Sequence, residues 1–320
     1  MIAVALSTGS IYTYGTARAF ELAARAGYDG VELMVDDRWD TRQVEHLCGL
    51  AERYAPVLSV HSPFGRVSGW PGREVERIRQ SLTLAEGLGA RTLNVHLPFR
   101  VHTLFVDAGV WRWAAPILPP SENHRAYARW LVDGGLAELQ AQTAVTIAVE
   151  NLPVRRFLGR RFSPYALNSW DALERFPRLC LDTTHCGTTG SDLLAVYERL
   201  AGRVVHVHLS DFDGKYQHQP VTRGFLPLDR FLAALAAGKY AGTVVVELTP
   251  HALPMHDERK LAAELRRNLA FCRRHLGQAT GEGNAAPATP SSAAPAGAAP
   301  ARHLATSPTP AGHHQLATGH

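Results

Sequence analysis

Apolar and polar residues follow one another along this chain in two rhythms. Short aliphatic runs recur, and each is followed by a longer stretch in which apolar positions return every third or fourth residue. The short runs are "IAVALS" (2–7), "GVELMV" (30–35), "VLSVHS" (57–62), "TLNVHL" (92–97), "VTIAVE" (145–150), "RLCLDT" (178–183), "VVHVHLS" (204–210) and "TVVVEL" (243–248). Their length and β-branched content predict strands. The longer stretches include "TARAFELAARAG", "EVERIRQSLTLAEGLG", "HRAYARWLVDGGLAELQAQ" and "DERKLAAELRRNLAFCRRHLG", and their spacing predicts amphipathic helices. Glycines at their ends, as in "ARAGYDG", mark C-caps ahead of the next strand.

Eight strand–helix units in succession require parallel strands joined by crossover helices. At this length the economical α/β solution is a closed (β/α)8 TIM barrel, assigned to residues 1–277. A doubly wound open sheet would want a glycine-rich phosphate turn after its first strand, and "STGSIYTYG" is not a clean G-x-G-x-x-G. Near residue 281 the pattern stops. From "GEGNAAPATPSSAAPAGAAP" to the C-terminus the chain has little that is large and apolar to bury, so residues 278–320 are expected to form a disordered Ala/Pro-rich tail.

Composition narrows the classes. The chain has 320 residues, 46% of them hydrophobic, enough for one large core or two modest ones. A net charge of +4 is only mildly basic, and the arginines are scattered through helices, so nucleic acid is not an expected partner. Cys48, Cys180, Cys186 and Cys272 show no C-x-x-C spacing and read as reduced thiols. With no signal-type start and no membrane-length apolar run, a cytoplasmic location is expected, with homo-oligomerisation open.

A barrel places its chemistry where strands end, on the C-terminal face. The second strand ends near Glu32, and the next six end in His61, His96, Glu150, Asp182, His208 and Glu247. So many ionisable groups converging on one rim would be severely destabilising without a compensating cation, and Glu, Asp and His are the ligand types of divalent metals. In "VVHVHLSD", His206 and His208 lie on one face of a strand. His208 reaches the rim as a ligand, while His206, about 6–7 Å deeper by strand rise, supports it or packs in the barrel. In "LDTTH", Asp182 ends its strand and His185 follows in a loop, so that both can face one pocket.

The ordered set "VHSP", "NVH", "VENLP", "LDTTH", "HVHLSD" and "VVVEL" resembles the xylose isomerase-like barrel superfamily, which includes sugar isomerases and ketose 3-epimerases, inosose dehydratases and endonuclease IV nucleases. The resemblance implies that Glu150, Asp182, His208 and Glu247 hold the main divalent ion (Mn2+, Zn2+, Co2+ or Mg2+). It implies that His185 contacts substrate or a further ion, and that His61 and His96 join Glu150 at a second metal.

Two chemistries fit these residues. The first is isomerisation or epimerisation of a sugar or polyol through an enediolate, with Glu150 and Glu247 as catalytic acid–base groups. A dehydratase acting on a cyclic polyol would use the same parts. The alternative is zinc-dependent phosphodiester hydrolysis of the endonuclease IV type, which His61 and His96 favour. That branch has an Asp-x-His pair after the seventh strand, however, and in "DFDGKYQHQPVTRG" Asp213 and His218 are spaced differently. The arginine that ketose 3-epimerases carry soon after the seventh-strand histidine is also absent before Arg223. His218 and Arg223 stand as expected phosphate or hydroxyl contacts. Rim aromatics (Trp39, Phe64, Trp70, Phe99, Trp111 and Trp113) would exclude water or pack the loops. The segment "LPFRVHTLFVDAGVWRWAAPILPPSENH" reads as a long loop that governs substrate choice or dimerisation.

Overall fold

The strands of the protein are β1 (Ala3–Ser7), β2 (Gly30–Met34), β3 (Val57–His61), β4 (Thr92–Val95), β5 (His102–Ala108), β6 (Trp111–Leu118), β7 (Thr146–Glu150), β8 (Arg155–Phe157), β9 (Arg160–Phe162), β10 (Leu179–Asp182), β11 (Val204–Leu209) and β12 (Thr243–Val246). The structure, a computed structural model, describes residues 1–108 and 111–278. Parallel strands close into a barrel in the order β1-β12-β11-β10-β7-β4-β3-β2, so the eight aliphatic runs of the sequence are the eight barrel strands. Such strands are covered by helices outside and by one another inside, which is why β12 reads as an unbroken "TVVV" with every residue buried.

The helices are α1 (Thr16–Ala26), α2 (Val44–Arg53), α3 (Glu74–Gly87), α4 (Glu122–Val132), α5 (Gly135–Ala141), α6 (Trp170–Leu173), α7 (Thr183–Thr189), α8 (Leu193–Leu200), α9 (Leu228–Ala237) and α10 (Glu258–His275). Their apolar stripes bury Phe20, Phe231, Leu261 and Leu265 completely. Gly30, opening β2, marks a close approach: a Cβ there would stand 2.6 Å from the Pro56 carbonyl oxygen. Gly30→Ala is therefore expected to destabilise the barrel by about 1–3 kcal/mol, the usual cost of overpacking, read as a lowered urea midpoint at unchanged slope.

Four segments differ from expectation. "HRAYARWLVDGGLAELQAQ" is two helices, because Gly134 at φ 104° breaks α4 from α5. The long segment after the fourth barrel strand contains an antiparallel hairpin, β5 with β6, favoured by its aromatic and β-branched residues. The arginine-rich "RRFLGRRF" is a second hairpin, β8 with β9, turning through Leu158 and Gly159 at positive φ. The stretch after Asp182 is the helix α7 rather than a loop. Gln278, counted with the tail, donates to the Ile2 carbonyl at 2.8 Å, while the rest of the expected tail lies outside the described residues. Among the described residues no helix is long and apolar enough to cross a membrane, and the four cysteines are free thiols.

Candidate metal centre

Register staggers the strand ends around the mouth, Glu150 pairing with Cys180, two residues before Asp182. Asp182 pairs with His208 across β10 and β11, and His208 with Val245 across β11 and β12. Glu150 is the last residue of β7, while Glu247 follows β12 directly. Glu150, Asp182, His208 and Glu247 thus each offer a ligand atom, all within 4.8 Å of one another. His208 Nδ1 stands in the middle, 2.8 Å from Glu247 Oε2, 3.2 Å from Glu150 Oε1 and 3.9 Å from Asp182 Oδ2.

The donor set fits a divalent cation. Asp182 Oδ2 and Glu247 Oε2 are buried without an aligned hydrogen bond among the described residues, although His208 Nδ1 stands 2.8 Å from the second. Such oxygens forgo hydration without compensation, unless their lone pairs converge on an ion. Protons take part of that role when no metal is bound. Burial alone would raise the Glu247 carboxyl, but the His208 charge outweighs it and holds the group at about 2. Burial would likewise lower His61, but its contact with Glu150 and the surrounding carboxylates hold it at about 9. Glu150 is kept well below the usual range by His208, His185 and His61 against the effect of burial. Asp182 moves the other way, raised because burial dominates.

Two further groups of donors flank the first. His61 Nε2 and His96 Nε2 lie 3.4 and 3.1 Å from Glu150 Oε2, and the three residues form one possible ligand set. On the opposite side, Asp182, His185 and His218 form another. Asp182 is the N-cap of α7, its Oδ1 accepting the His185 amide at 2.6 Å. Capping thus uses one carboxylate oxygen and leaves Oδ2 for the cluster. The loop expected here is corrected to a helix whose first turn still turns His185 to the site. His218, in the left-handed region at φ 54°, places its ring 5.1 Å from that of His185.

Arg223 is not brought to the site: its guanidinium bonds Glu264 Oε2 at 3.0 Å and the Ala252 carbonyl at 2.9 Å, because α10 supplies an acidic partner on the outside of the barrel. Asp211, part of the "HVHLSD" motif, instead accepts the amides of Phe212, Gly224 and Leu226 and ties down its own loop. Glu32 lies a layer beneath the rim, level with Ser59, whereas His61 pairs with Met34. Phe64 packs edge-on over His96 at 5.0 Å and contacts Phe99 at 5.4 Å. Trp39 is largely exposed and Trp70 packs on the core, while the side chains of Trp111 and Trp113 lie outside the described residues.

Asn94 and Asn151 escaped the sequence reading. Asn94 Nδ2 donates to Glu150 Oε2 at 2.7 Å, and Asn151 exchanges two bonds with the Asp182 backbone while its carbonyl lies 2.9 Å from His185 Nδ1. Asn94 carried a signal: it precedes His96 by two residues, on the same face of the chain.

Comparison with known proteins agrees with this architecture. An uncharacterized protein of Mycobacterium leprae (strain TN) is 35% identical over 300 residues, covering 86% of this chain and 98% of its own. The structure of 3-keto-D-glucoside 4-epimerase from E. coli superposes with a TM-score of 0.61 at 17% identity, over 86% of this chain and all of that one (100%). An AP endonuclease, family 2, from Brucella melitensis does so at 0.55 and 20% identity, over 78% and 94%. Residues 20–275 match the sequence profile described as xylose isomerase-like TIM barrel, and the chain belongs to that family.

Proposed function

We propose that the protein is a metal-dependent isomerase or epimerase of a sugar or polyol, using Mn2+, Zn2+, Co2+ or Mg2+. The observation that carries this reading is the pair of carboxylates, Glu150 and Glu247, reaching His208 Nδ1 from separate arcs of the barrel mouth, at 3.2 and 2.8 Å. A divalent ion bound by Glu150, Asp182, His208 and Glu247 supplies polarisation of a substrate carbonyl, which acidifies the neighbouring C–H bond.

The chain's own residues do the rest. Glu150 and Glu247 are both held ionised, so either begins as a base able to take a proton from carbon. Delivery of that proton by the same carboxylate to the former carbonyl carbon, as a hydroxyl proton passes from the neighbouring oxygen to the former carbonyl oxygen, gives isomerisation. Delivery of a proton to the opposite face of the original carbon, from the carboxylate across the mouth, gives epimerisation. Asn94 steadies Glu150 by donating to Oε2, leaving Oε1 toward His208. His61, His96, His185 and His218 offer polar contacts to substrate hydroxyls, and Phe64 keeps water from the His96 side. Metal-loaded protein incubated with a panel of ketoses and polyols in D2O is expected to place deuterium on carbon. Metal-loaded protein that exchanges no carbon-bound hydrogen across the panel would refute the reading.

A second reading, metal-dependent phosphodiester hydrolysis, is favoured by the His61–His96–Glu150 group. Metal content separates the two. One ion per chain supports the sugar enzyme; two or three zinc ions with diester cleavage support the hydrolase.

A further inference from the structure

Behind His208, on the side away from the rim carboxylates, lies a charged group that the proposed chemistry does not use. Glu32 is fully enclosed in the barrel interior. An ionised carboxylate there costs several kcal/mol of lost hydration unless donors surround it. Ser59 Oγ donates to Oε2 at 2.8 Å, and His206 Nε2 lies 2.8 Å from the same oxygen. The other oxygen, Oε1, lies 3.0 Å from His208 Nε2. Residues of three barrel strands, β2, β3 and β11, therefore build this buried group.

A neutral imidazole carries its proton on one nitrogen only. Once an ion takes the Nδ1 lone pair, the one proton left on the ring lies on Nε2, 3.0 Å from the Glu32 carboxylate, whose charge favours it there. Nδ1 is the atom that faces Glu150, Asp182 and Glu247. His61 and His185 are arranged in the opposite sense: their Nδ1 atoms lie 2.9 Å from the carbonyl oxygens of Ser62 and Asn151, and Nε2 of His61 turns to Glu150 Oε2 at 3.4 Å. His208 has a carboxylate rather than a carbonyl close behind it, at 3.0 Å from Nε2, and the negative charge there makes the ring a better ligand.

We propose that Glu32 is a positioning residue of the metal centre, which locks His208 into the Nε2-protonated form with Nδ1 bare toward the ion. Ser59 and His206 in turn hold Glu32. This gives the deeper histidine of "VVHVHL" its purpose: it serves the one at the rim through a carboxylate on another strand. The inference rests on the reading of Glu150, Asp182, His208 and Glu247 as a metal centre.

Calorimetric titration of metal-free protein with Mn2+ tests it. Glu32→Gln is expected to keep the wild-type stoichiometry while binding about 10–100-fold more weakly, the usual effect of losing such a support. A variant with a lowered Tm but wild-type affinity would overturn the proposal, since Glu32 would then serve the fold alone. Wild-type protein that binds no Mn2+ would instead refute the metal reading, and the role of Glu32 with it. Should Glu32→Gln fail to fold, the 15N NMR spectrum of Zn2+-loaded wild type decides. A proton on Nε2 of His208 is expected, and a proton on Nδ1 overturns the assignment.

Discussion

Glu247→Gln is expected to lower kcat by about 10²–10⁴-fold, the range for loss of a general acid–base group, and further if the ion is lost. The side chain lies at the open end of the cluster, 14% exposed, whereas Glu150 is 1% exposed. Glutamine conserves shape, so the substitution removes one negative charge and one proton acceptor with little change to packing. Glu150→Gln is a harsher change. Glu150 accepts from Asn94 Nδ2 and faces His61 Nε2 and His208 Nδ1, which carry protons while no metal is bound. An amide NH2 placed among them sets donor against donor and costs stability as well as turnover. Deuterium exchange, metal content and Tm measured on both variants separate the effects. Metal-free Glu247→Gln should lose some Tm through its ion pair with His208, but less than Glu150→Gln, and should lose exchange when loaded; wild-type exchange in that variant would remove Glu247 from the chemistry.

Why was this centre legible in a sequence? An aliphatic run buried on two faces leaves its last residue free to be polar only where something compensates it. His61, His96, Glu150, Asp182, His208 and Glu247 each close such a run, and the (β/α)8 topology then dictates that they meet. Depth was less legible. Glu32 also stands in a barrel strand, yet the register of β2 with β3 sets it level with Ser59, a layer lower. Leu33, Met34 and Val35 continue the run past Glu32, so it does not close its strand, but which residue it lies level with is a property of pairs of strands. Helix α7 was hidden for another reason. "TTHCGTT" is short, threonine-rich and interrupted by Gly187, so local propensity argues against a helix that Asp182 nucleates by capping. Arg223 was misplaced because its partner, Glu264, comes from a helix distant in sequence.

Metal-free protein is expected to lose thermal stability as pH rises from about 6.5 to 9, and added Mn2+ to abolish that loss. His61, ordinarily near 6.5, is held at about 9 in the fold: burial opposes its charge, but Glu150 and the other carboxylates outweigh it. A folded-state value above the unfolded one means that the stabilisation is complete below 6.5 and disappears as pH passes through 9. The shift corresponds to roughly 3 kcal/mol at most, shared among groups that titrate together. Against burial, His208 is raised by Cys180, Glu32, Glu247 and Glu150, and His185 by Asp182, Glu150 and Glu247, and both add to the alkaline limb. Cys186 and Cys272, pushed up to about 12 by burial, stay protonated throughout this window and do not contribute. The acid limb has the opposite sign. Glu247, held at about 2 by His208 despite burial, contributes above its ordinary 4.5 and loses that contribution as pH falls toward 2. A bound divalent ion supplies the positive charge that the imidazolium protons otherwise provide, so loading should flatten the alkaline limb. It should also raise Tm by an amount equivalent to about 4 kcal/mol at 1,000 times Kd. Scanning calorimetry of metal-free and Mn2+-loaded protein at several pH values between 6 and 9 is the check. A metal-free Tm that stays flat or climbs over that interval, unmoved by the ion, would mean that these carboxylates and imidazoles are balanced among themselves and hold no cation.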